Sequence, residues 1–287
     1  MKTDVKPWFS YIDHYGFVLD NPREPGDAAF HSSYLYASEC VFNENIDKVE
    51  KFLLYFSEYC LKHNRLIGHP NMFTDRVDKS LHFSRDQLSP LLYLGATIHK
   101  YQPQLKPYYK KILQKIVDLD HDKGNIAGGH SNGDINHNLR YIISLLCRAY
   151  GVGYKKAKCE SWFSKALTGY NLAWSSFAAR LMSDRIKPRP FTLNNNVNLL
   201  TVRKLLLNSN KHRSNFKWFA KNWHHGIGYK IISGLSFNQS ELEAYREKTS
   251  IYLTLFMDKG IKSVSDDTGK HTCFDYWHLE ALRRIWA

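Results

Sequence analysis

The densest collection of chemically capable side chains is DLDHDKGNIAGGHSNGDINHNLRY, residues 118–141. It sets Asp118, Asp120, Asp122, His121, His130, Asp134 and His137 among glycines and then enters a helix. The alternating aspartates invite a calcium reading. An EF-hand loop beginning at Asp118 needs glycine at 123 and an acid at 129, where the chain has Lys123 and Gly129, so that motif fails. A looser metal site stays open beside a plainer alternative, a glycine-rich turn whose Asp and Asn side chains satisfy backbone donors. The expectation adopted is no metal and no cofactor.

Asn136 and His137 open the helix that follows, and Arg140 and Tyr141 lie three and four residues past His137, on its face. These residue types suit removal of a proton beside a carboxylate: Asn136 or Arg140 neutralises the acid, and His137 or Tyr141 serves as base. His130 and Asp134, just upstream, join the substrate-binding set. The competing reading is a helix-capping Asn beside a partly buried His.

Carboxylates at helix starts form a second set. Asp27 in GDAAFHSS and Asp86 in SRDQLSP both sit where the helix dipole favours the ionised form. Facing one groove, they would serve as the acid and base of a glycosidase, with Arg85 as a substrate clamp or as the ion-pair partner of Asp86. Acids at these positions also stabilise helices without any catalytic role. A third line is aromatic: Trp162, Tyr170, Trp174 and Phe177, with Asn171 and Arg180 interleaved, make a face on which Tyr170 and Trp174 would stack sugar rings or bases, or else fill a core. Trp218, Trp223, His224 and His225 form a similar cluster.

The elements that must position these groups are helices. Ile46, Val49, Phe52, Leu53, Phe56 and Cys60 follow the spacing of one buried helical face from Asn45 onward. Ser84-Arg85-Asp86-Gln87 is a capping box, and Pro90 predicts a kink in the helix it opens. Further helices are predicted over 107–118, 138–150, 158–182, 196–208, 214–224, 241–257 and 275–286, with long polar loops at 63–83 and 119–136. No sustained period-two run signals a strand. Helix starts fall at Asp27, Ser84, near His137, near Asn195 and at Glu241, in steps of 57, 53, 58 and 46 residues, each room for one helical hairpin. No residue-level repeat accompanies that spacing. The expected fold is all-α, one helical domain over 1–287 with an irregular segment over about 1–26. Its hairpins form an α/α toroid or partial toroid, with an irregular helical bundle as the alternative.

At this point the chain resembles known families. Asn136-His137 at a helix start resembles the Asn-Asn-His-x-Tyr-Trp stretch of alginate-lyase-type α/α-toroid polysaccharide lyases, with Ile135 at the first Asn and Tyr141 two positions late. Acids at inner-helix starts resemble α/α-toroid glycoside hydrolases. The resemblance implies lyase chemistry carried by His137 and Asn136, or glycosidase chemistry carried by Asp27 and Asp86.

Charge agrees with an anionic partner. Lys and Arg number 40 against 27 Asp and Glu, for a net charge of +13, which attracts an acidic polysaccharide, nucleic acid or another polyanion. The basic residues come as scattered doublets, so a solvated basic surface is the plain alternative. No two of the five cysteines have a CxxC spacing, and Cys40, Cys60 and Cys147, inside helical apolar patterns, read as reduced core residues. There is no apolar run of membrane-spanning or signal-peptide length, so cytoplasmic synthesis without an export signal is expected. Nucleotide-binding, zinc-peptidase and α/β-hydrolase motifs are absent from the sequence. The leading reading is a carbohydrate-active lyase or glycosidase of unspecified oligomeric state. Its rival is a non-enzymatic scaffold or phage-type virion component contacting nucleic acid or another anionic partner, with salt-sensitive affinity.

Overall fold

The first helix of the chain is buried on almost every side, which explains why it shows no amphipathic period. Helix α1 (Ala28–Phe42) keeps only His31 and Phe42 partly open. Its serines are tolerated there because they bond back to their own helix: Ser32 and Ser33 donate to Ala28 and Ala29 carbonyls at 2.6 Å, and Ser38 to Tyr34 at 3.0 Å. The computed structural model describes residues 11–19, 28–73, 83–128, 133–155, 190–210, 227–243 and 276–287. Among these there is no β-strand, only two isolated bridges, and the fold is all-α.

Helix α2 (Ile46–Tyr55) follows a turn in which Asn43 and Asn45 take left-handed backbone angles, a conformation asparagine tolerates. Its apolar face is the one predicted, with Val49, Phe52, Leu53, Phe56 and Cys60 buried, and its last turn widens into a π-helical segment, Phe56–Cys60. Helix α3 (Arg85–Tyr101) starts at the Ser84 cap, whose hydroxyl accepts from Gln87 N at 3.4 Å, and continues past Pro90. A short turn at Pro103–Leu105 leads into α4 (Lys106–Lys123), which runs five residues beyond its expected end. Gly124 closes α4 at φ 64°, so the polar loop shrinks to 124–136. Helix α5 (His137–Tyr150) has the predicted start, and α6 (Pro190–Leu207) begins earlier than the expected Asn195. Helices α7 (Ile227–Ser233) and α8 (Tyr276–Trp286) follow, and residues 239–243 are helical too, the described part of the helix predicted over 241–257. The predicted helices at 158–182 and 214–224 lie outside the described residues.

Contacts at both ends fix the directions. Tyr34 meets Tyr93 midway, with ring centroids 6.4 Å apart, and Gln102 just beyond α3 donates to the Cys40 carbonyl (3.1 Å) and to Asn43 Oδ1 (2.9 Å). Helices α1 and α3 are therefore parallel. Tyr109 near the start of α4 packs on Tyr150 at the end of α5, while Asp120 near the end of α4 bonds Arg140 near the start of α5. Helix α4 is thus antiparallel to α5 and, across its short turn, to α3. This makes α1, α3 and α5 parallel. Helix α8 joins them, since Tyr34 meets His278 and Phe42 meets Arg284 in ascending order. The short turns lie at one end, and the long connections 61–84 and 124–136 lie at the other. Leu66 N donates to Ile126 O at 2.9 Å, which ties the two long connections together.

One close approach holds the centre. The Tyr109 ring rests on Gly95 and its hydroxyl donates to Leu91 O at 2.9 Å, while Tyr150 donates to Gly95 O at 2.6 Å. A methyl at 95 would collide with the buried Tyr109 ring. Gly95→Ala should therefore lower stability by about 1–3 kcal/mol, read as a lower urea midpoint with unchanged slope.

Candidate functional site

Parallel helices joined through long connections at one end gather their N-termini there. This end carries Arg85 and Asp86 at the first two positions of α3, and Asn136-His137 at the start of α5. Asp27 directly precedes α1 in sequence and, like His130, Tyr170 and Trp174, lies outside the described residues. Exposed backbone N–H groups and helix dipoles favour negative charge at such an end.

The side chains of the α5 start are committed as follows. Asn136 Oδ1 accepts from Leu139 N at 3.0 Å, as a helix cap does. Arg140 does not stand free for a substrate: its Nε donates to Asp120 Oδ1 at 3.1 Å. Asp120 has no solvent exposure, and its other oxygen accepts from the Tyr154 hydroxyl at 2.6 Å. Tyr141 is buried, with the Arg203 guanidinium 5.7 Å over its ring. Asp134 is exposed and takes a bond from Asn125 Nδ2 that closes the 124–135 loop. The Asp118, Asp120 and Asp122 run sits on the last helical turns of α4 rather than in a loop, where Asp118 accepts from Gln114. Among the described residues no three His, Cys, Asp or Glu converge as a metal site. Cys40, Cys60 and Cys147 are buried free thiols, and burial pushes Cys147 up to about 12.

Other candidate groups come from chain segments far apart in sequence. A polar cluster joins four helices below the helix starts. Asn198 Nδ2 of α6 donates to the Tyr34 hydroxyl of α1 (2.6 Å) and to Ser89 Oγ of α3 (3.0 Å), and His278 of α8 stands edge-on to Tyr34 and Tyr93. Burial holds His278 down at about 3, well under the ordinary histidine value of about 6.5. The folded protein keeps this ring neutral, whereas the unfolded chain protonates it. Its contribution to stability is therefore full above about pH 6.5 and is lost as pH falls toward 3, by up to about 1.4 kcal/mol per pH unit. His278→Phe should flatten the fall in unfolding free energy between about pH 6 and 4; an unchanged slope would assign the acid sensitivity elsewhere.

A second group lies on the outside of the same end. Tyr55 and Tyr59 stack at 5.8 Å and 11°, Tyr15 meets both, and the Lys51 and Lys62 ammoniums lie 5.9 and 5.5 Å from the Tyr55 and Tyr59 centroids. The four-residue spacing of the two tyrosines on a helix was the available signal. Beside this ledge, Asp13 accepts from Tyr15 N and Phe17 N and binds His69 Nε2 at 2.7 Å, while His69 Nδ1 accepts from Asn71 N. With every one of these atoms engaged, the Asp13–His69 pair pins the N-terminal loop to the 61–73 connection.

Among the described residues no helix is long and apolar enough to cross a membrane. No family model, curated protein or solved structure matches this chain.

Proposed function

We propose that this is a carbohydrate-active protein of partial α/α-toroid architecture, which hydrolyses an acidic polysaccharide at the end where α1, α3 and α5 begin. The observation that carries the reading is the parallel, in-register run of α1, α3 and α5 with their long connections at one end. Parallel helices in contact lie about 8–10 Å apart, close to the roughly 6.5–9.5 Å between the carboxyls of an inverting glycosidase. Asp86, at the second position of α3, and Asp27, directly ahead of α1 in sequence, are the pair we assign. One acts as general acid toward the leaving oxygen, and the other as general base toward water.

Hydrolysis is favoured over elimination by the state of the α5 residues. Asn136 is engaged as a cap, Arg140 is held by Asp120, and Tyr141 is buried, so the proton-abstraction set is largely committed elsewhere. The lysine-flanked Tyr55 and Tyr59 ledge suits stacking of further sugar units, and the +13 charge suits an anionic chain. This chemistry needs no cofactor.

The test is turnover of the purified protein on acidic and neutral polysaccharides. New reducing ends without the ultraviolet absorbance of unsaturated products support the proposal. Unsaturated ends would transfer the chemistry to His137 and overturn the hydrolytic assignment. Folded protein without turnover, but binding nucleic acid with affinity that falls steeply with salt, would establish the scaffold reading instead.

A further inference from the structure

The exposed surface least explained by folding alone is the tyrosine ledge at the end of α2. Tyr59 keeps 37 % of its surface in water, and Lys51, Glu58 and Lys62 around it are exposed. Tyr55 stacks on Tyr59 and Tyr15 meets both, which fixes the ring directions while Tyr59 stays open. Among the described residues neither lysine forms an ion pair. Their ammoniums lie 5.9 and 5.5 Å from the Tyr55 and Tyr59 centroids, a weak contact at an exposed site that leaves the charge available to an anion.

The surroundings are basic. Burial, and then the charges of Arg65, Lys115 and Lys62, hold His63 below the ordinary histidine range, so three cations gather around the connection just past the ledge. One acid intervenes: Glu58, ahead of burial, lifts the Tyr59 phenol above its ordinary range. Phe56, between the two tyrosines in sequence, meets Phe83 edge-on at 6.4 Å, and Phe83 directly precedes the Ser84 cap of α3. The ledge therefore borders the end where Asp86 stands.

Ring geometry and charge placement select the occupant. A ring inserted between the two tyrosines would need about 7–8 Å, twice the carbon contact distance. At 5.8 Å they admit nothing, so a partner lies along their outer side. A nucleic-acid strand separates each stacking base from its phosphate by a sugar, whereas a uronic acid carries its carboxylate on the very ring that packs against an aromatic face. Cations placed directly beside the aromatic rings match the second arrangement.

We infer that the Tyr55 and Tyr59 ledge, with Lys51 and Lys62, is a second carbohydrate-binding site, which holds uronic-acid units of an acidic polysaccharide away from the point of cleavage. This rests on the proposed hydrolysis of an acidic polysaccharide and names the acidic group as a carboxylate. A chain held at both places gains affinity from the link between them, an advantage that a short oligosaccharide cannot have.

The test is affinity electrophoresis of the full-length protein in gels containing polygalacturonate, with dextran as the neutral control and oligothymidylate as the nucleic-acid control. Polygalacturonate should retard the wild type and dextran should not. Tyr59→Ala should weaken the binding about 3–10-fold and Lys62→Gln about 2–5-fold. Glu58→Gln should tighten it about 2–5-fold at low salt, because it removes the one acid beside the ring. Lys110→Gln, the same charge change on an exposed residue near the opposite end, should have no such effect. In turnover, the KM advantage of polygalacturonate over trigalacturonate should shrink in Tyr59→Ala.

A wild type that polygalacturonate does not retard overturns the inference, as does retardation undiminished in Tyr59→Ala or lost equally in Lys110→Gln and Lys62→Gln. Tighter, Tyr59-dependent binding of oligothymidylate would make the ledge a nucleic-acid surface, and a wild-type dimer that Tyr59→Ala dissociates would make it a self-contact; either overturns it. If Tyr59→Ala does not fold, the opposite responses of Lys62→Gln and Glu58→Gln decide. Ledge-dependent binding in a protein that cleaves nothing upholds the site and overturns only hydrolysis. Turnover with an unchanged long-chain advantage in Tyr59→Ala leaves hydrolysis standing and removes this site.

Discussion

Asp86→Asn should reduce polysaccharide hydrolysis by about 10²–10⁴-fold while the protein stays folded, the loss expected when one general acid or base is removed. Asp86 lies at the second position of α3, so the charge deleted from the helix start is worth only about 0.3–1 kcal/mol of stability. Unfolding therefore cannot account for a loss of that size. Asp27→Asn should give a comparable loss, and the two variants separate the roles. The acid variant keeps turnover on a glycoside with a good leaving group, which needs little protonation. The base variant loses both substrates equally, because water still has to be deprotonated. Near-normal turnover in both variants would end the assignment of this pair, and a circular dichroism melt beside each assay would show that the comparison is between folded proteins.

Asp120→Ala should cost about 3–5 kcal/mol, the usual consequence of removing one partner of a buried ion pair. Asp120 has no exposure and satisfies two groups at once, Arg140 Nε at 3.1 Å and the Tyr154 hydroxyl at 2.6 Å. Its loss removes the buried acceptor that a guanidinium and a phenol share. The same carboxylate ties the end of α4 to the start of α5, so activity should fall with stability. Arg140→Met alone should cost less, since Arg140 retains a fifth of its exposure and a carboxylate facing Tyr154 keeps one bond. The double variant should be less destabilised than the sum, with a coupling of about 0.5–3 kcal/mol in urea denaturation. Independent, additive effects would show that the pair carries no interaction of its own.

Local chemistry made much of the architecture legible in the chain. The Ser84 and Asn136 caps, the apolar period of α2 and the hairpin-length steps set the starts of α3 and α5 within a residue, because a cap and its orphan N–H groups are neighbours in sequence. The same rules failed where burial is complete. Helix α1 has no polar face, so no period marks it, and it is recognisable only by the helix start at Asp27. The end of α4 is not legible locally, because its last turns carry Asp118, Asp120 and Asp122, residue types of a polar loop. Tertiary contacts keep them helical, through the Arg140 and Tyr154 bonds to Asp120 and the Gly124 cap.

Site chemistry divided along the same line. Sequence alone determined which residue types stand at helix starts and that the chain is basic and all-α, since spacing, capping and composition are short-range or additive properties. Only the tertiary structure decided that Arg140 belongs to Asp120, that Tyr141 faces Arg203, and that Tyr34, Ser89, Asn198 and His278 form one cluster. Asn198 lies 109 and 164 positions from its two partners. No local pattern encodes such a pairing; it arises when parallel helices bring distant turns to one level and burial compels each polar group to find a neighbour.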